Sequence, residues 1–143
     1  MTEKNTTIRP REFERLLRRQ PFLADGFQIT VEDLSPGFAR IRLGFDDRFL
    51  RPGGTICGPV LFTLADATLY AMVLATAGKK IMAVTSDMNI RFLKKPLPGG
   101  LIAESRLIKG GRRSIYGEVL IYSEGQDEPV AHVTGAYALP AGG

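Results

Sequence analysis

The chain has 143 residues, enough for one domain of ordinary size and too few for two. Its 44% hydrophobic and 24% charged residues match the soluble globular average and exclude wholesale disorder; a formal charge of +4 favours anionic ligands but is too dispersed to mark a nucleic-acid binder. A single cysteine, Cys57, excludes an internal disulfide, and a single histidine, His132, argues against a zinc cluster.

The Met1 end is polar and charged with no signal-peptide pattern, so a cytoplasmic protein is expected. Residues 1–8 read as a polar, mobile tail. From Arg9 to Gln20 the pattern becomes helical: Pro10 suits a first turn, and Phe13, Leu16 and Leu17 share one stripe. Arg9, Arg11, Arg15, Arg18 and Arg19 crowd this segment, and Pro21 is expected to end it. The segment 1–24 is set apart from a domain at 25–139. It either covers a ligand mouth or is a charged surface element, and the second is the preferred expectation.

Two strands are predicted next, Phe27 to Leu34 and Phe38 to Phe45, joined by the turn Ser35-Pro36-Gly37. After a loop from Asp46 to Gly58, Pro59 to Ala77 reads as one helix, roughly 28 Å long at about 1.5 Å per residue. Gly78 and Lys79-Lys80 suit its end. Its apolar residues surround the axis, so burial on all sides is expected, in a core or in a membrane. A mid-segment Asp66, three threonines and the flanking soluble-type strands argue against a membrane span. Four more strands follow, Ile81 to Leu93, Leu101 to Lys109, Arg112 to Ser123 and Pro129 to Leu139. Short turns favour antiparallel pairing of the last three. The order implies an α+β domain in which a curved antiparallel sheet wraps one long central helix. Such a sheet leaves an open face and edge strands, so association into a homodimer is expected, with a dimer of dimers left open.

Asp66 is the only charged residue in that helix, with Thr63 and Tyr70 on its face. An unpaired buried carboxylate is expensive, so it needs a partner or a task. Two readings stand: a general base or nucleophile, or a structural carboxylate held by hydroxyls or a second subunit. At the helix start, Pro59 has no N–H, which makes the amide of Gly58 the natural donor to a developing oxyanion. Carboxylate and amide together are the parts of an acyl-transfer site. A Cys57/His132 nucleophilic pair is a weaker alternative, because buried free cysteines mostly serve as small hydrophobes.

Cys57-Gly58-Pro59 leading into Leu64-Ala65-Asp66 resembles the hotdog-fold acyl-coenzyme A thioesterases of the phenylacetate-pathway branch, whose pattern runs from His-Gly-Gly into Leu-Ala-Asp. Thr85 to Leu93, with Asn89 and Phe92, followed by Pro96, resembles that family's Thr-x-x-x-Asn-x-x-Phe-x-x-Pro strand, and Ala131 to Tyr137 its last strand. The likeness covers residues 25 to 139. It implies hydrolysis of a coenzyme A thioester to free acid and CoA, with Asp66 activating water or attacking the thioester. The Gly58 amide of a second subunit would hold the oxyanion. No metal or redox cofactor is implied; coenzyme A is part of the substrate. Arg51, Cys57, Thr63, Tyr70, Asn89, Lys94, Arg112 and Arg113 are the implied substrate contacts, with the hairpin around Gly110-Gly111 meeting the nucleotide phosphates and Phe62, Tyr70 and Met88 the acyl group. Cys57 stands where the family has histidine, Pro59 where it has a second glycine, and Arg51 where many relatives carry Asn or Gln. Those departures keep open a non-catalytic acyl-CoA-binding or sensing protein.

Overall fold

The computed structural model describes residues 7–141. Helix α1 (Pro10–Arg18) is followed by a single further turn, α2 (Pro21–Ala24). Each begins on a proline, whose missing N–H costs nothing at a first helical position. Pro21 thus ends one helix and starts another. Ile8, read from the sequence as part of a mobile tail, is buried in the core; residues 1–6 lie outside the described ones.

Strands β1 (Ile29–Ser35) and β2 (Phe38–Leu43) meet at Pro36-Gly37, where Gly37 adopts φ +84°, a conformation that favours glycine. A 3-10 turn (Asp47–Phe49) leads to α2's long successor, α3 (Gly58–Ala77). Then come β3 (Val84–Phe92), β4 (Leu101–Gly110), β5 (Ser114–Ser123) and β6 (Pro129–Ala138). The six strands form one sheet in the order β1-β2-β4-β5-β6-β3, antiparallel throughout, packed around α3. This is the expected hotdog architecture.

Element ends shift from expectation for identifiable reasons. Phe27 and Phe45 continue the apolar alternation but lie beyond the β1–β2 ladder, and Phe27 instead meets the Phe49 ring edge-on at 6.1 Å. Ile81 and Met82 precede β3 because the Ala83 N–H turns back to the Lys80 carbonyl at 2.9 Å. Arg112 and Arg113 belong to the β4–β5 turn, where Gly111 N–H donates to the Ser114 carbonyl at 2.9 Å.

Helix α3 is long and apolar enough to cross a membrane by length and composition, with a mean hydropathy of 1.7. Here it is the rod of the core: Leu61, Leu64, Leu69, Met72, Val73 and Leu74 are buried under the sheet. Burial is not complete, however. Phe62, Thr63 and Asp66 form an open face on its first half.

Where α3 crosses β5 and β6, Gly117 and Gly135 are cross-strand partners. A Cβ on Gly135 would lie 2.8 Å from Met88 Cγ and 2.9 Å from the Asp87 carbonyl oxygen, and one on Gly117 3.0 Å from Leu69 Cδ1. The two glycines let the helix seat closely. Gly135→Ala is therefore expected to lower unfolding stability by about 1–3 kcal/mol, read from the urea midpoint, because the Asp87 backbone cannot give way as a side chain would.

The two edges of the sheet differ. Helix α1 covers β1, and the buried Glu14 carboxylate accepts the Val31 N–H at 2.8 Å while pairing with Arg11. Glu14→Ala should orphan that edge-strand N–H and cost about 1–3 kcal/mol, measured by chemical denaturation. The β3 edge is bare. Val84 is 60% and Phe92 54% exposed, with Met82 and Leu93 close by in sequence and also exposed.

Candidate active site

Asp66 stands on the third turn of α3 and looks into a cleft of about 480 Å³ between that helix, the α1–α2 corner and the start of β3. Its Oδ1 accepts two hydroxyls: Tyr137 on β6 donates at 2.6 Å and Thr85 on β3 at 2.8 Å. Its Oδ2 has no partner among the described residues. One carboxylate oxygen is thus anchored and the other is unpaired among the described residues. Burial, reinforced by the neighbouring Asp66 charge, pushes the Tyr137 phenol well above the ordinary tyrosine range, so it remains a donor at any ordinary pH. Its ring stacks on Tyr70 at 5.4 Å, and Tyr70, also shifted upward by burial, donates to the Ile81 carbonyl at 2.7 Å and meets Phe13 of α1 edge-on at 5.7 Å. Tyr137, one of the two hydroxyl donors to Asp66, is thus itself fixed in a packed aromatic column.

The start of α3 supplies the second part. Cys57 precedes the helix in extended conformation (φ −73°, ψ 153°) and its N–H donates to the Phe49 carbonyl at 2.9 Å. Pro59 has no N–H, and the Val60 N–H donates to the Cys57 carbonyl at 3.2 Å. The Gly58 N–H alone in this run lacks an acceptor among the described residues, at the positive end of the helix dipole. The loop before it is braced by Arg48, which holds the Asp46 carboxyl down to about 2 through its guanidinium and its backbone N–H.

The other expected contacts scatter. Thr63 and Tyr70 line the Asp66 cleft, as does Phe62, although the Thr63 hydroxyl already donates to the Pro59 carbonyl at 2.8 Å. Met88 is not on the cleft wall; it packs beside Gly135 against the core. Arg51 is exposed in the Arg51–Gly54 turn, and Cys57 is a half-buried free thiol. Asn89 is exposed on β3 opposite Thr134, and Lys94 is paired with Glu128 at 3.0 Å. Arg112 borders a separate recess with Thr76 and Lys80 at the far end of α3, while the Arg113 carbonyl accepts the Leu139 N–H. His132 is engaged by Glu118 at 2.9 Å, in keeping with a satisfied sheet histidine.

Three cleft features escaped the sequence. Thr85 and Tyr137 were legible only as parts of strand patterns, not as ligands of Asp66. The basic helix, expected to be a surface element, contributes Leu17 and Gln20 to the cleft wall, with Phe22 and Leu23 of α2 beside them. The apolar stripe of α1 signalled a buried face but not which neighbour it would meet.

A curved antiparallel sheet around one central helix, with a carboxylate on that helix's third turn, defines a hotdog-fold protein. The profile of the Thioesterase superfamily matches residues 53–130, and the chain belongs to that family. A structure from Silicibacter sp. TM1040 bearing the name "putative thioesterase" is 36% identical, with a TM-score of 0.82 and 94% of each chain covered. The PaaI protein of the E. coli phenylacetic acid degradation operon superposes with a TM-score of 0.77 at 22% identity, over 90% of this chain and 91% of that one. The smu.793 protein of Streptococcus mutans, solved with bound acetyl CoA, gives 0.71 at 21% identity, over 79% of this chain and 89% of the other.

Proposed function

We propose that this protein hydrolyses a thioester of coenzyme A to the free acid and CoA. Asp66 Oδ2 either takes a proton from the attacking water and passes it to the departing thiolate, or itself attacks the carbonyl carbon to form an anhydride. Water then hydrolyses that anhydride to the free acid and also supplies the thiol proton. The Gly58 N–H receives the negative charge that develops on the carbonyl oxygen, and cleavage of the C–S bond releases the thiol. The observation that carries this reading is the half-anchored Asp66 carboxylate facing a cleft in a member of the thioesterase superfamily. The acetyl-CoA found in a structural neighbour supports the carrier.

The two reactive groups belong to two subunits in this reading. Asp66 and Gly58 are eight residues apart on one helix, about 12 Å along its axis, too far to share one carbonyl. Both are nonetheless tied to the bare strand β3, Asp66 through Thr85 and Gly58 through the Phe92 ring, which lies 3.1 Å from where a Cβ on Gly58 would be. Two copies pairing β3 antiparallel about its midpoint, Met88, set Thr85 opposite Arg91 of the partner subunit, one residue from the partner's Phe92. That pairing brings each Asp66 toward the partner's Gly58 and covers the apolar edge.

The test is thiol release from coenzyme A thioesters with short, long and aromatic acyl groups. Saturable release from at least one is expected. Tight binding of those thioesters with no thiol released over hours would make the protein a binder rather than a hydrolase.

A further inference from the structure

Beside the Asp66 cleft lies a second and larger groove, about 740 Å³, between α1 and the segment after α3. Its size falls within the roughly 300–1,000 Å³ typical of small-molecule sites. Ile8, Leu16 and Ile81 give it an apolar floor, and Arg15, Arg18, Arg19 and Lys79 a cationic rim. Only Lys79 among these four is neutralised, by Glu12 at 3.0 Å. The side chains of Arg18 and Arg19 are exposed and have no partner among the described residues; Arg15 is exposed too, with Glu12 one turn earlier as its nearest counter-charge. Elsewhere on α1, charge is spent on structure, as in the Arg11–Glu14 pair. Ile81 borders both cavities, so the groove adjoins the cleft that holds Asp66.

We infer that this basic groove receives the phosphorylated nucleotide end of the thioester carrier, whose acyl-bearing arm crosses Ile81 to reach Asp66. The inference rests on the thioesterase reading above and adds to it the subsite that recognises the carrier. Guanidinium forks match phosphate oxygens bidentately, and an apolar floor suits the face of a base. The recess beside Arg112 has similar charge and also lies at the C-terminal end of α3, but it shares no lining residue with the Asp66 cleft. An acidic carrier protein would also find arginines attractive, but these stand on the rim of a concave groove with a greasy floor, which suits a small ligand.

The experiment compares the full protein with the triple variant Arg15→Gln, Arg18→Gln, Arg19→Gln. Two readouts are taken: binding of adenosine 3′,5′-bisphosphate by calorimetry, and the ratio of kcat/KM for an acyl-CoA to that for the same acyl group on N-acetylcysteamine, which lacks the nucleotide. All three side chains are exposed, so the variant should fold, and circular dichroism checks this. The expected result is a loss of nucleotide affinity of about tenfold or more, with the preference for the CoA thioester collapsing to a similar degree. Nucleotide binding that survives in this variant but is lost in Arg112→Ala would place the phosphates at the hairpin and overturn the inference. Turnover of an acyl carrier protein thioester that depends on the three arginines, without nucleotide binding, would overturn it too. If no thioester is hydrolysed at all, the hydrolase reading fails, yet the calorimetric comparison still decides the groove.

Discussion

Asp66→Asn is expected to lower kcat for thioester hydrolysis by about 10²–10⁴-fold, the usual contribution of a positioned acid–base group, with more lost if the carboxylate is the nucleophile. The substitution is a sharp one because it changes little else. Asparagine has the same size, and its carbonyl oxygen can accept the same two hydroxyls, from Tyr137 and Thr85, that hold Oδ1 now. The aromatic column of Phe13, Tyr70 and Tyr137 packs around the site without needing the charge. What disappears is the ability of Oδ2 to take a proton or form a bond. Thiol-release kinetics beside a thermal unfolding curve separate the two consequences: a large fall in rate at an unchanged melting temperature is the expected pair. Undiminished turnover in Asp66→Asn would remove this residue from the chemistry and leave it a structural carboxylate satisfied by two hydroxyls.

How far the sequence could foresee this site depends on the range over which each feature is encoded. The long helix and its lone charge were legible because both are local: an apolar run between Pro59 and Gly78 is a helix by composition, and one aspartate within it stands out. The free Gly58 amide was legible for the same reason, since Pro59 can donate nothing. Tyr137 is 71 residues from Asp66, and its hydroxyl reaches the carboxylate only because β6 lies between β5 and β3 in the finished sheet. No alternation of apolar and polar residues specifies that order. The role of α1 was hidden in a different way. Phe13 and Leu17 announced a buried face, but its partners, Tyr70 and the cleft wall, are set by how the helix docks over β1, and that docking turns on one buried Glu14 whose partner is a backbone N–H. Backbone partners leave no trace in a side-chain pattern. The open face of α3 is the converse case: a uniformly apolar helix looks fully buried, and the exposure of Phe62 becomes visible only when the sheet is seen to stop at β3.

Mixing two inactive variants should restore activity if the site is shared between subunits. Gly58→Pro removes the free N–H and is expected to lower kcat by about 10²–10³-fold, the usual cost of one oxyanion donor. Gly58 is not among the glycines with positive φ, so the fixed negative φ of proline meets no left-handed backbone there. Gly58 is the first helical residue, and Cys57 before it is already extended at φ −73° and ψ 153°, as a residue preceding proline must be. The added ring atoms meet Phe92, whose ring must give by a few tenths of an ångström. In a homodimer of Asp66→Asn every site lacks the carboxylate, and in one of Gly58→Pro every site lacks the donor. A mixed dimer has one site lacking both and one intact, where the proline-bearing chain's Asp66 faces the Gly58 of the partner subunit. Random exchange makes half the dimers mixed, so about a quarter of the original turnover should return on co-refolding equal amounts. A site built within one chain would gain nothing from mixing. Recovery of that fraction, measured as thiol released per subunit, therefore reads out both the location of the site across the β3 seam and the identity of its two halves.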